Sequence, residues 1–304
     1  MESLPSQFLL PRAIAHNLAD CTESTCPVKD SVYGYKPSMA ANVIFCAIFA
    51  ASMIAHIIQG IRWKSWSFMI AMGIGTFGEA VGYIGRIEMH NNVFDKNAFK
   101  VQIICLTVAP AFLAAGIYLT LKHTIIVFGA TFSRIRPKLY TWLFIAFDII
   151  SITVQAIGAG IASGGVHVNT GNNIMIFGVS FQVVTLVIFG IMASEYAFRV
   201  YKFRAQLNPA TTQLRRTMYF KGMVIAVTVA YTTILIRCIY RVAEMAAGWR
   251  SSLMQNQGLF IGLDSVMCSI AVIALNVFHP GFLFRESRNV EKGRPVSDSH
   301  IEMS

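Results

Sequence analysis

Val101–Leu121 reads VQIICLTVAPAFLAAGIYLTL, a run without one charged side chain. A helix needs about 20 such residues, at 1.5 Å rise each, to cross a hydrocarbon core ~30 Å thick. There no water can satisfy a backbone amide, so a lone apolar span has to be helical. Six further windows of the same kind lie on either side of it: Met39–Gly60, Trp66–Ile87, Leu139–Ala162, Asn173–Phe198, Gly222–Ala247 and Gln257–Phe278. The expected fold is therefore all-α, a polytopic membrane protein built as a bundle of seven transmembrane helices. The domain reading is a polar N-terminal tail over 1–38, the helical domain over 39–278, and a polar, disordered tail over 279–304.

Composition agrees. Apolar residues make up 55% of the 304-residue chain and charged residues 13%, against about 25% charge in an average soluble domain. Mean hydropathy is +0.57. A globule this poor in charge could not clothe its surface, which excludes an ordinary soluble enzyme. The net charge of +10 does not indicate nucleic acid, because the basic residues sit between apolar runs instead of forming a phosphate-binding face. The apolar stretch at Phe8–Leu10 is short, preceded by Glu2 and flanked by Pro5 and Pro11. It is not a standard signal peptide, so the first span is expected to act as its own signal.

Lysine and arginine orient the bundle. Sixteen of the 25 follow spans one, three, five and seven, among them Arg62, Arg134, Arg199, Arg215, Lys221 and Arg285. Seven lie on the other side, and Arg237 and Arg241 fall inside span six. The N-terminus is expected outside and the C-terminus in the cytosol. Cys46, Cys105, Cys238 and Cys268 lie within spans as small apolar residues. The spacing of Cys21 and Cys26 in the outer tail leaves a disulfide between them open.

Ionisable groups inside a membrane are costly unless paired or facing water. On span two, Glu79, Tyr83 and Arg86 share a stripe, and on span six Arg237, Tyr240, Arg241 and Glu244 share another. Span four aligns Asp148, Ser151 and Gln155, span seven carries Asp264, and Glu195 stands near the end of span five. Counted from the cytosolic end, Glu79 lies ~20 Å deep, Arg237 and Asp264 ~22 Å, and Arg86 and Glu244 ~30 Å. Opposite charges thus share depths on different helices. The expected contacts are Glu79–Arg237, shared with Asp264, and Arg86–Glu244. The central cluster reads equally as a cavity lining or as a structural brace; Arg86, Arg241 and Glu244 read as structural or interfacial ion pairs. Gly78-x-x-x-Gly82 and Gly160-x-x-x-Gly164 mark close helix approach, and the glycines of span two place it centrally. Pro110 frees a carbonyl one turn earlier and kinks span three.

Several seven-helix chemistries are absent. Span seven has no lysine for a retinal Schiff base, and of the seven histidines only His56 lies well within a span, which gives no three-histidine zinc site. No nucleophile elbow, P-loop or dinucleotide fingerprint occurs. Neither catalysis nor a cofactor or metal is expected.

In order and spacing, a longer set of motifs resembles the fungal RTA-like, or lipid-translocating exporter, family. The set comprises Tyr33-Gly34-Tyr35-Lys36-Pro37-Ser38, Glu79-x-x-Gly82-Tyr83-x-x-Arg86, Ala109-Pro110 with Ala115 and Tyr118, and Asp148 with Gln155 and Gly158-x-Gly160. It continues with Gly178 and Gln182, Arg237-x-x-Tyr240-Arg241-x-x-Glu244, Asp264, and His279-Pro280-Gly281. One departure stands out: Asn256 and Gln257 occupy the place where members resemble one another in a His-Glu pair. The resemblance implies a fungal membrane protein linked to export of sphingoid long-chain bases or related toxic amphiphiles and to resistance against them; the expected location is the plasma membrane, with an endomembrane as the alternative. Its partners would be membrane lipids and an amphiphilic small molecule. On this reading Glu79, Tyr83, Asp148, Gln155, Arg237, Tyr240 and Asp264 form the substrate path, the ammonium head following the acids while the tail stays in lipid. The alternative is a receptor-like lipid sensor that regulates membrane asymmetry.

Overall fold

The computed structural model describes residues 26–31, 33–128, 137–163, 168–203, 217–248 and 251–285. Seven helices are long and apolar enough to cross a membrane: α1 (Met39–Trp63), α2 (Trp66–Asn91), α3 (Lys96–Phe128), α4 (Pro137–Ser163), α5 (Val168–Lys202), α6 (Met218–Ala246) and α7 (Gln257–Val277). Each expected span has its helix. Most of the helices run past the apolar windows, because the backbone ladder continues into polar turns that hydropathy does not register. Cys21 lies outside the described residues; Cys26 is disulfide-bonded, and the four cysteines within the helices are free.

Each helix packs on the next in sequence, and α7 returns to α1, closing a ring around α3, which also meets α5 and α6. The central helix is therefore α3, with 72% of its apolar window buried against 56% for α2. The glycines of α2 serve this arrangement from the side. A Cβ at Gly82 would lie 2.5 Å from Leu106 Cδ2, and one at Gly75 2.6 Å from Leu113 Cδ2, so the stripe lets α2 lie directly on α3. Gly82→Ala is expected to lower stability by about 1 kcal/mol through overpacking, read as a fall in the melting midpoint of the detergent-solubilised protein. An unchanged midpoint would show that Leu106 yields freely. The second glycine motif behaves otherwise. A Cβ at Gly160 would meet nothing within 4 Å, and Gly164 lies outside the described residues; the α4–α5 approach instead uses Gly158 against the Gly171 carbonyl.

The core gathers Phe49, Phe68, Leu106, Leu113, Tyr118, Ile234 and Val272, while Trp142, Ile191 and Ile225 are exposed on the outer surface. Apolar groups on the perimeter suit a lipid solvent. At the N-terminal end, Tyr33 tucks under α3: its hydroxyl accepts from Gln102 Nε2 at 2.6 Å and its ring meets Phe99 edge-on. Burial pushes the Tyr33 hydroxyl up to about 12, so it stays neutral at physiological pH. Gly34 follows at φ +68°, against the Gln255 side chain, a left-handed turn that glycine adopts without strain.

At the other end the chain does not leave the bundle at 279, where the sequence reading starts the tail. Phe282, Leu283 and Phe284 are buried, with the Phe284 ring 5.8 Å from Phe68 and the Phe282 ring 5.1 Å from Tyr219. Tyr219 donates to the His279 carbonyl at 2.9 Å. These aromatic side chains supply a second apolar face beyond the span, and residues 279–285 clasp the ends of α1, α2, α3 and α6.

Candidate functional site

A chain of alternating charges crosses the N-terminal half of the bundle. Glu244 accepts from Arg241 Nη1 at 2.7 Å, Arg241 Nε lies 3.1 Å from Asp264 Oδ1, and Arg237 Nε lies 2.9 Å from the same oxygen. Arg237 Nη2 then reaches Glu79 Oε1 at 3.7 Å. All five residues are at most 2% exposed. The expected Glu79–Arg237 contact, shared with Asp264, is present. Glu79 is its loosest member, since its ion pair is the longest of the four; the Cys268 thiol faces it. Tyr240 donates to Glu244 at 3.4 Å. Tyr83 is pinned by rings, with Phe49 stacked on it at 5.6 Å and Phe45 beside it, and its hydroxyl faces Ser265.

Two local devices aim these groups. Asp264 sits in a π-helical stretch, Ile261–Val266, where the extra residue per turn swings the carboxylate between the two arginines. Pro110 supplies the other. Lacking an N–H, it leaves the carbonyl of Leu106, four residues back, without its helical partner; Arg237 Nη2 donates to that carbonyl. The proline thus makes an acceptor, and one guanidinium ties α6 to α2, α3 and α7.

The expected Arg86–Glu244 contact is corrected. Glu244 is taken by Arg241 three residues earlier on its own helix. Arg86 turns toward α1 and the N-terminal segment, donating to Asn42 Oδ1 at 3.2 Å and to the Tyr35 hydroxyl at 3.0 Å. Its guanidinium lies 3.9 Å from the Phe260 ring centroid. Arg86, Arg241 and Glu244 are all buried in the bundle, 1–2% exposed. Arg241 is a full member of the central chain.

Asp148 and Gln155 stand elsewhere. Gln155 donates to Ser151 Oγ at 2.7 Å and to Gln182 Oε1 at 3.3 Å, and Ser151 donates to the Gly178 carbonyl at 2.6 Å. This is a polar seam between α4 and α5. Asp148 is 3% exposed and faces the Tyr118 hydroxyl of α3. Glu195 pairs with Arg199 at 2.7 Å on a half-exposed surface. The sequence reading missed the Leu106 carbonyl as the partner of Arg237, although Pro110 names it by its offset. It also missed an apolar cleft between α3, α5 and α6, for which no local signal exists. Among the described residues, no three His, Cys, Asp or Glu are placed to hold a metal.

Residues 72–287 match the family model described as RTA1 like protein. From Saccharomyces cerevisiae, a protein named sphingoid long-chain base transporter RSB1 is 33% identical over 310 residues, covering 90% of this chain and 79% of the relative. Protein RTA1 is 23% identical (82% and 84% covered), and protoporphyrin uptake protein 1 is 26% identical (81% and 91% covered), both from the same yeast. No solved structure matches.

Proposed function

Since this chain belongs to the RTA1-like family, we propose that it moves sphingoid long-chain bases, or amphiphiles of that kind, across the plasma membrane, with its N-terminus outside and its C-terminus in the cytosol. The observation that carries the reading is the buried charge chain. Ionisable groups inside a membrane mark substrate pathways, and this one ends on a carboxylate whose guanidinium partner lies 3.7 Å away, the longest ion pair of the chain. Glu79 is thus free to exchange its distant arginine for an incoming ammonium, while Asp264 stays committed to two guanidiniums. The membrane lipid supplies the substrate, and the relatives bearing transport and uptake names support movement over chemistry. Without an ATP-binding motif, uphill movement draws on a gradient or a partner.

The test follows a labelled sphingoid base across proteoliposomes containing the full chain, with Glu79→Gln beside it. Movement above protein-free liposomes is expected, with a roughly tenfold loss in the variant, about 1.5 kcal/mol for a hydrogen bond to a charged group. Correctly inserted, folded protein that moves no base would overturn translocation and favour the sensor.

A further inference from the structure

Away from the charge chain, a cleft of about 750 Å³ opens between α3, α5 and α6, inside the range of roughly 300–1,000 Å³ common to small-molecule sites. Its walls are apolar, with Ile117, Thr120, Phe189, Ala193 and Val227 along them, and Lys221 lies near its C-terminal end. Along α5 the lining runs from Phe189 to Tyr201, ~18 Å of helix. That is the shape of a hydrocarbon chain more than of a compact solute.

The inner end is closed by aromatic rings. Phe189 lies 4.4 Å from Tyr118 and 5.3 Å from Phe144, centroid to centroid. Behind Tyr118 stands Asp148. Asp148 is 3% exposed, its carboxylate faces the Tyr118 hydroxyl, and among the described residues no cation pairs with it. A buried carboxylate without a counter-charge is expensive unless a positive group joins it or it takes a proton. The charges therefore grade in one direction, with a lysine where the cleft meets the end of the bundle and a lone acid beyond its inner wall. A cationic head is repelled by the first and drawn to the second.

We propose that the cleft and Asp148 form one binding site for a single-chain amphiphile with a cationic head. The tail lies along the cleft, and the ammonium reaches Asp148 when the Phe189 and Tyr118 rings turn aside. This rests on the translocation reading and moves the tail from open lipid into the protein. It also gives the two acids different parts: Asp148 receives the head, and the chain through Arg237 stands beyond it toward the N-terminal end.

The experiment uses the full chain in detergent and a sphinganine analogue carrying a mid-chain photoreactive diazirine, with adducts located by mass spectrometry. Adducts are expected on the facing residues of α3, α5 and α6. Unlabelled sphinganine should compete about tenfold less well against Asp148→Asn, the loss of one charge-assisted contact, while its uncharged N-acetyl derivative competes as before. Ala197→Trp, at an exposed position of the lining, should reduce labelling altogether. Adducts confined to other faces overturn the proposal, as does an Asp148→Asn variant that weakens both competitors equally or neither. If Asp148→Asn fails to fold, the adduct positions on the unsubstituted chain decide. Cleft adducts in a protein that moves no base would sustain the site and sink translocation. Movement of base with no cleft adducts would do the reverse.

Discussion

Replacing Arg237 with leucine is expected to abolish stably folded protein, measured as loss of the monodisperse peak in detergent and of any cooperative melting transition. The side chain neutralises Asp264 at 2.9 Å, approaches Glu79 at 3.7 Å and donates to the Leu106 carbonyl. Its loss strands the Glu79 carboxylate and one carbonyl and leaves Asp264 with Arg241 alone, and breaking a buried ion pair from one side costs about 3–5 kcal/mol. Arg237→Lys should fall between, since a point ammonium cannot serve three acceptors that a planar fork reaches together. The partners are unequal. A double-mutant cycle should give a coupling of about 2 kcal/mol for Arg237–Asp264 and about 0.5 kcal/mol for Arg237–Glu79. Equal couplings would contradict the geometry, and a well-folded Arg237→Leu would show that the chain of charges braces nothing.

Acidification should loosen the clasp at the C-terminal end. His279 Nδ1 accepts from the Gly281 amide at 3.0 Å, so the neutral ring carries its hydrogen on Nε2. Protonation would set an N–H against an N–H at that turn. His279 is 2% exposed, and burial pulls its pKa down to about 4. The His56 ring faces it at 6.1 Å. A folded value below the unfolded ~6.5 means that the unfolded chain binds more protons between the two. The stability is present above pH 6.5 and is lost as pH falls toward 4. From pH 7 to pH 5 the loss is about 2 kcal/mol. It would be read as a falling melting midpoint and as earlier proteolysis after residue 278. His279→Phe should flatten that slope; an unchanged slope would assign it to another group.

The clasp also shows where reading along the chain stops. Phe282, Leu283 and Phe284 form an apolar run too short to suggest a span, beside a polar tail. Only the groove left between the ends of α1, α3 and α6 makes it worth burying. The cleft is equally invisible in advance, because its lining residues are mostly ordinary apolar helix residues spread over more than a hundred positions.

The seven spans and the common depths of Glu79, Arg237 and Asp264 could be read from residue order alone. Both are one-dimensional: transfer free energy adds along a helix, and rise per residue converts position into depth. Which groups touch depends on the direction each side chain takes around its helix axis and on which helices are neighbours. Arg86 and Glu244 share a depth yet do not meet, because Arg241 lies one turn away on the same helix and Asn42, Tyr35 and Phe260 surround Arg86. The free carbonyl at Leu106 was implicit in Pro110, but its partner was not. A guanidinium on α6 found it only because the bundle closes around α3.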